Sequence, residues 1–226
     1  MSGKKELQKT ANEKLDNFLT KHRVVILSIA GAVVAVILIY TAAVTVLTNA
    51  NKKALTKIDA ITYALTKDSY NLSSDELQQR RTTAATALAA YNKKGGIIGI
   101  RANMLSADLS FEQKDYTAAR SYWLAAAKAD TKAYTAPLSY FNAAVCSEEL
   151  DDSSSAVTYY QKASEAPDFL LVSHALFSLG RVKEAQQDFT GASEAYQKIV
   201  DKSPSDKWAD LAKSRLIALA DEGKIK

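Results

Sequence analysis

The sequence predicts an all-α chain: a single N-terminal transmembrane helix, then a solenoid of three to four helix pairs closed by a C-terminal capping helix. Two observations carry this. Residues 24–48, VVILSIAGAVVAVILIYTAAVTVLT, contain no charged residue. From residue 96 onward the chain repeats a pattern of small, acidic and aromatic residues at intervals of 36–37. A helix satisfies its own backbone groups in lipid, and about 20 apolar residues cross the hydrocarbon core. Helix pairs too small to bury their faces alone stack into solenoids.

Residues 1–23 read as a cytoplasmic arm, in which Leu7, Leu15, Phe18 and Leu19 give a weak apolar face suited to lying on a membrane. The run 24–48 is too long for the apolar core of a secretory signal, so a permanent single-pass anchor is expected. Thr41-Ala42-Ala43 still has the small residues of a cleavage site. Six Lys/Arg precede the run, against Lys52, Lys53 and Lys57 just after it. By the positive-inside rule the N-terminus stays cytoplasmic and the rest crosses the membrane, which in a bacterium places it in the periplasm.

Residues 49–94 form a helical connector or a degenerate repeat. Ala54, Leu55, Ile58, Ile61 and Leu65 recur at helical spacing, so the anchor helix is expected to continue to about Thr66. Ser73-x-x-Glu76 has the form of a capping box, and Gly95-Gly96 that of a left-handed helix end.

Residues 95–226 form the solenoid. Its markers are Ala107, Ala144 and Gly180. Eight residues after each stands Asp115, Asp152 or Asp188; twelve after, Ala119, Ala156 or Ala192; sixteen after, Trp123, Tyr160 or Tyr196. The two small residues let paired helices approach closely, the aspartate caps the second helix, and the aromatic fills the groove. Trp208, Leu211, Ala212, Arg215 and Leu216 suit a capping helix.

This pattern resembles the tetratricopeptide repeat (TPR) proteins over roughly residues 97–222. The best copy is LFSLGRVKEAQQDFTGASEAYQKIVDKSP, with Leu179-Gly180, Asp188-Phe189, Ala192, Tyr196 and Pro204 in register. The layout of arm, single anchor and repeat domain also resembles the YfgM-like proteins. That resemblance implies an ancillary role beside the SecYEG translocon and periplasmic chaperones.

The remaining composition excludes other classes. Residues 24–226 hold 23 basic and 22 acidic residues, so no basic block exists to track phosphates, and no nucleic acid is expected as partner. His22 and His174 are far apart, without metal-ligand spacing. Lys93-Lys94-Gly95-Gly96 lacks the order of a phosphate loop. Cys146, amid AAVC, reads as a small core hydrophobe. Glu148, Glu149, Asp151 and Asp152 read as a solvated helix end. No enzyme, cofactor or metal is expected.

Binding is the expected function, with other proteins or peptide segments as partners, the membrane as anchor, and self-association left open. By the geometry of the resembled family, residues three before and one after each marker face the concave groove: Met104 and Asp108, Phe141 and Val145, Phe177 and Arg181. Such a groove suits an apolar or amphipathic segment. Of the positions that clamp a carboxylate in chaperone-docking relatives only Asn142 fits, since Met104, Asp108, His174 and Ser178 hold the others. The alternative is a structural scaffold in a large envelope assembly such as a motor or secretion machine.

Overall fold

The computed structural model describes the backbone of residues 2–226 and the side chains of residues 13–226, and all regular structure among them is helical. Two compact units divide the chain, Met1–Lys53 and Ala54–Lys226. Helix α1 (Ser2–Thr66) supplies the first and opens the second. After a short 3₁₀ turn at Ser69–Asn71 come α2 (Ser74–Leu88), α3 (Gly96–Glu112), α4 (Tyr116–Ala129), α5 (Ala136–Glu149), α6 (Ser153–Ser164), α7 (Val172–Ala185), α8 (Phe189–Lys202) and α9 (Lys207–Asp221).

In the first unit the apolar run is exposed along its whole length, and its richest stretch has a mean hydropathy of 2.7. This is the one helix among the described residues long and apolar enough to cross a membrane. Three of its hydroxyls bond back to their own helix: Ser28 Oγ donates to the Val24 carbonyl at 2.8 Å, Thr41 Oγ1 to that of Leu38 at 3.0 Å and Thr45 Oγ1 to that of Thr41 at 2.8 Å. That is the way a helix without water neighbours satisfies such groups. In the arm, Leu15, Phe18 and Leu19 are exposed, while the side chain of Leu7 lies outside the described residues.

The second unit is a succession of helix pairs, with α3 against α4, α5 against α6 and α7 against α8, each pair also packed on the next, and α9 closing the stack on α7 and α8. Ahead of them the tail of α1 and α2 share a core of Ile58, Ala84 and Leu88 with Ile98 and Ala102 of α3. Arg80 closes the turn between them, donating to the Ala64 and Lys67 carbonyls at 2.9 and 2.6 Å. The expected capping box is present, with the Glu76 amide donating to Ser73 Oγ at 3.3 Å and the Ser73 amide to Glu76 Oε2 at 2.9 Å.

The glycine pair does not end α2. That helix stops at Leu88, and Gly96, at φ +59°, opens α3 instead. The intervening turn is held from α3: Asn103 Nδ2 donates to the Asn92 carbonyl at 2.8 Å. Gly99 leaves room for the Lys94 carbonyl where a Cβ would collide.

All three marker residues and their partners are buried: Ala107 with Ala119 and Trp123, Ala144 with Ala156 and Tyr160, Gly180 with Ala192 and Tyr196. The repeat extends to the turns. Asp115, Asp152 and Asp188 each accept the amide three residues on, at 3.0, 3.1 and 2.9 Å. The Gly191 amide and then Lys183 hold the Asp188 carboxyl below the usual range. Each aspartate amide reaches back five residues, to the carbonyls of Ser110, Ser147 and Lys183. The residue before each aspartate is left-handed: Lys114 at φ 61°, Asp151 at 55° and Gln187 at 63°. This is the helix-ending arrangement that favours glycine, here filled without one. Gln187→Gly should therefore raise stability by about 0.5–1 kcal/mol, the left-handed strain relieved exceeding the extra unfolded-chain entropy. The check is a higher midpoint in urea with unchanged slope.

Candidate functional site

On α7, His174, Phe177, Arg181 and Glu184 fall at intervals of three or four and so share one face of the helix. Leu138, Phe141, Val145 and Glu148 do the same on α5, and Trp208, Leu211 and Arg215 on α9. Contacts join the three faces into one. The Phe141 ring lies 4.8 Å from that of His174, His174 stacks on Trp208 at 4.1 Å and 13°, and Trp208 lies 5.3 Å from Phe177. Tyr160 and Tyr196 back the row from the second helices, 5.4 Å from Phe141 and 5.3 Å from Phe177. Six rings thus run unbroken across the last two pairs and the closing helix.

A polar ladder runs beside the rings. Glu148 accepts the Tyr160 hydroxyl at 2.6 Å and the Arg181 Nη2 of the next pair at 2.7 and 2.5 Å. Glu184 repeats this, accepting the Tyr196 hydroxyl at 3.1 Å and pairing with Arg215 of α9. Both carboxylates are mostly shielded, at 23 and 19% side-chain exposure, which makes these pairs firmer than open surface ion pairs. Phe177, Arg181, Glu184, Tyr196 and Arg215 line a groove of about 750 Å³.

The six residues expected in the groove take different positions. Phe141 is only 7% exposed and belongs to the core of the middle pairs. Phe177, Met104 and Val145 are half-buried, and Arg181 is exposed. Asp108 is exposed along a cleft with Arg81, Leu105 and Glu112. Although its surface is accessible, the protein atoms crowded around it in the cleft strip away part of its solvation, and this first, then Glu112, pushes its carboxyl up to about 6. The structure joins Phe141, Phe177 and Arg181 through the rings and the ladder. Met104 packs instead with Trp123 and Cys146.

Sequence reasoning left Trp208, Glu148, Glu184 and Arg215 outside the groove, and read the acidic run at 148–152 as solvated. Two of its members tie helices together instead: Glu148 holds Tyr160 and Arg181, and Asp152 caps α6 and pairs with Arg120 at 2.7 Å. The available signal was periodic, since Glu148 and Glu184 each stand four after a marker. Burial, and then Arg181, hold the His174 imidazole below its ordinary value, so it serves as a neutral ring at neutral pH. Cys146 is buried and its thiol is pushed up to about 11 by burial, which keeps it protonated.

Residues 148–207 match the family described as tetratricopeptide repeat. A TPR repeat-containing protein of Treponema pallidum (strain Nichols) is 37% identical over 114 residues, 50% of this chain and 48% of the relative. The chain thus spans about half the length of the curated relative it matches. The crystal structure of the apo form of RapI superposes with a TM-score of 0.53 over 72% of this chain and 46% of that one. At 19% identity this is a likeness of fold alone. Residues 148–207 thus carry a tetratricopeptide-repeat match, and half of the chain is similar to a bacterial protein named for such repeats. No cluster of side chains among the described residues could hold a metal ion.

Proposed function

We propose that the chain is a membrane-anchored adaptor whose inner face, on α5, α7 and α9, holds an apolar or amphipathic segment of another protein. The observation that carries this is the unbroken row of rings. His174, Phe177 and Trp208 are only half-buried, so each offers part of a preorganised aromatic surface beside the exposed Arg181. Aromatic and arginine side chains held rigidly at the centre of a face are the usual anchors of protein recognition. Because each ladder carboxylate already satisfies an arginine, a partner gains more from apolar side chains than from a terminal carboxylate. Met104 and Asp108 would extend the face toward α3.

In this reading residues 24–48 cross the inner membrane once, with the N-terminus cytoplasmic and the repeats periplasmic. The anchor raises the effective concentration of the inner face near membrane partners. The likeness in layout to the YfgM-like proteins makes the Sec translocon and periplasmic chaperones the first partners to test. A photoreactive residue at Phe177, crosslinked in intact cells and read by mass spectrometry, should capture translocon subunits or emerging secretory chains. Capture of its own copies, or of one abundant machine component, would replace the adaptor with an envelope scaffold.

A further inference from the structure

The second unit has two edges made of turns, and they differ in chemistry. Consecutive helices pack side by side through short connections, so alternate turns gather on the same edge. One edge collects the turns into α3, α5, α7 and α9; the other collects those into α2, α4, α6 and α8. On the first, segments 89–96, 128–136, 162–172 and 202–207 hold seven lysines against four acids. On the second, segments 66–76, 112–116, 149–153 and 183–189 hold three lysines against ten acids.

The lysine-rich edge also presents apolar side chains in register. Ile97, Tyr134 and Leu170 each stand ten residues before a marker, and they are 49, 91 and 98% exposed, with Leu171 exposed beside Leu170. Singly exposed apolar residues are ordinary on protein surfaces. Three at one repeat position, all projecting from one edge, are not scattered. The opposite edge shows Tyr70 and the marginally exposed Phe111.

The same edge is where the chain enters this unit. The tail of α1 runs alongside α3 in the same direction: Ile58 shares a core with Ile98, Asp59 pairs with Arg101 at 2.5 Å, and Leu65 joins Leu105 and Leu109. Ala54 therefore lies toward the end of the unit where α3 begins. Only residues 49–53 separate it from the apolar run, and five residues reach no further than about 20 Å fully extended.

We propose that this edge rests on an anionic bilayer surface, with Tyr134, Leu170 and Leu171 seated among the headgroups and the lysines against lipid phosphates. Tyrosine and lysine are the side chains suited to that depth. The lysine excess supplies the attraction to anionic lipid, and a short tether keeps the surface within reach. Nothing in the acidic edge matches such a surface. The proposal rests on the anchor reading above and adds that the repeat unit is held on the membrane rather than merely near it, on an edge distinct from the aromatic inner face.

The test uses the full chain carrying Cys146→Ala with one new cysteine, either Leu170→Cys or, as reference on the other edge, Glu149→Cys. Each is labelled with an environment-sensitive fluorophore and reconstituted into phosphatidylcholine vesicles with or without phosphatidylglycerol. Flotation of the vesicles reports the anchor independently of the label. The expected result is co-flotation in both lipids, with blue-shifted emission at 170 in the anionic vesicles. Quenching there by nitroxide lipid should be severalfold stronger than at 149, and Lys128→Glu with Lys132→Glu should reduce it. Co-flotation with water-like emission at 170 would overturn the proposal while leaving the anchor intact. Failure to float would overturn the anchor and this proposal with it. A shift at 170 that persists without anionic lipid and fades on dilution would mean a second copy covers the edge, which also overturns it.

Discussion

Gly180→Ala is expected to destabilise the protein by about 2 kcal/mol, against the ordinary sign of that substitution within a helix. Glycine inside a helix normally costs about 1 kcal/mol relative to alanine. Here a Cβ on Gly180 would lie 2.5 Å from Cε1 of Tyr196 and 2.8 Å from its Cδ1 and Cζ. The ring has nowhere to go. It is 1% exposed, its hydroxyl donates to Glu184, and Phe177 packs against it at 5.3 Å. The methyl must therefore push α7 and α8 apart, and overpacking of this kind costs about 1–3 kcal/mol. Urea denaturation of Gly180→Ala, Tyr196→Leu and the double variant separates the terms. The double variant should be more stable than the sum of the singles predicts, because the shorter side chain frees the space the methyl needs. Additive effects, or a stabilised single variant, would mean the close approach at this marker is not what selects glycine.

That residue shows why so much of the second unit was legible in the sequence. The repeat is written in the sizes of side chains at fixed spacing, and size at a helix crossing is a local, one-position constraint. Ala107, Ala144 and Gly180 declare the crossings, and Asp115, Asp152 and Asp188 the starts of the second helices. What resisted reading depends on which neighbour a side chain meets across the stack. Glu148 looked like one member of an acidic run because its partners, Tyr160 and Arg181, lie 12 and 33 residues further on. Trp208 read as a capping-helix residue, which it is, but its stacking on His174 could be known only once α9 was placed on α7. Gly95-Gly96 misled for the opposite reason. The local rule for a helix end was sound, yet Asn103 of the following helix holds the preceding turn and leaves the left-handed glycine opening α3.

The same difference between spacing and neighbourhood separates Phe141 from Phe177, which occupy the same repeat position. Phe141 is 7% exposed, with Tyr160, Phe169 and His174 around it, so Phe141→Ala should cost about 3–5 kcal/mol. Phe177 is half-buried between Tyr196 and Trp208, the last pair being closed only by α9. With part of its ring in water already, Phe177→Ala should cost only about 1–2 kcal/mol, since less apolar area is lost. Binding should rank them in reverse once stability is accounted for. Under conditions where both variants remain folded, as judged by far-ultraviolet circular dichroism, Phe177→Ala should abolish capture of partner segments on the inner face. Phe141→Ala should weaken it only through a loosened His174. A folded Phe177→Ala variant that binds as tightly as the original chain would sink the inner-face reading. Equal loss of stability in the two variants would instead show that the row of rings is core throughout, leaving recognition to the turns and outer helices.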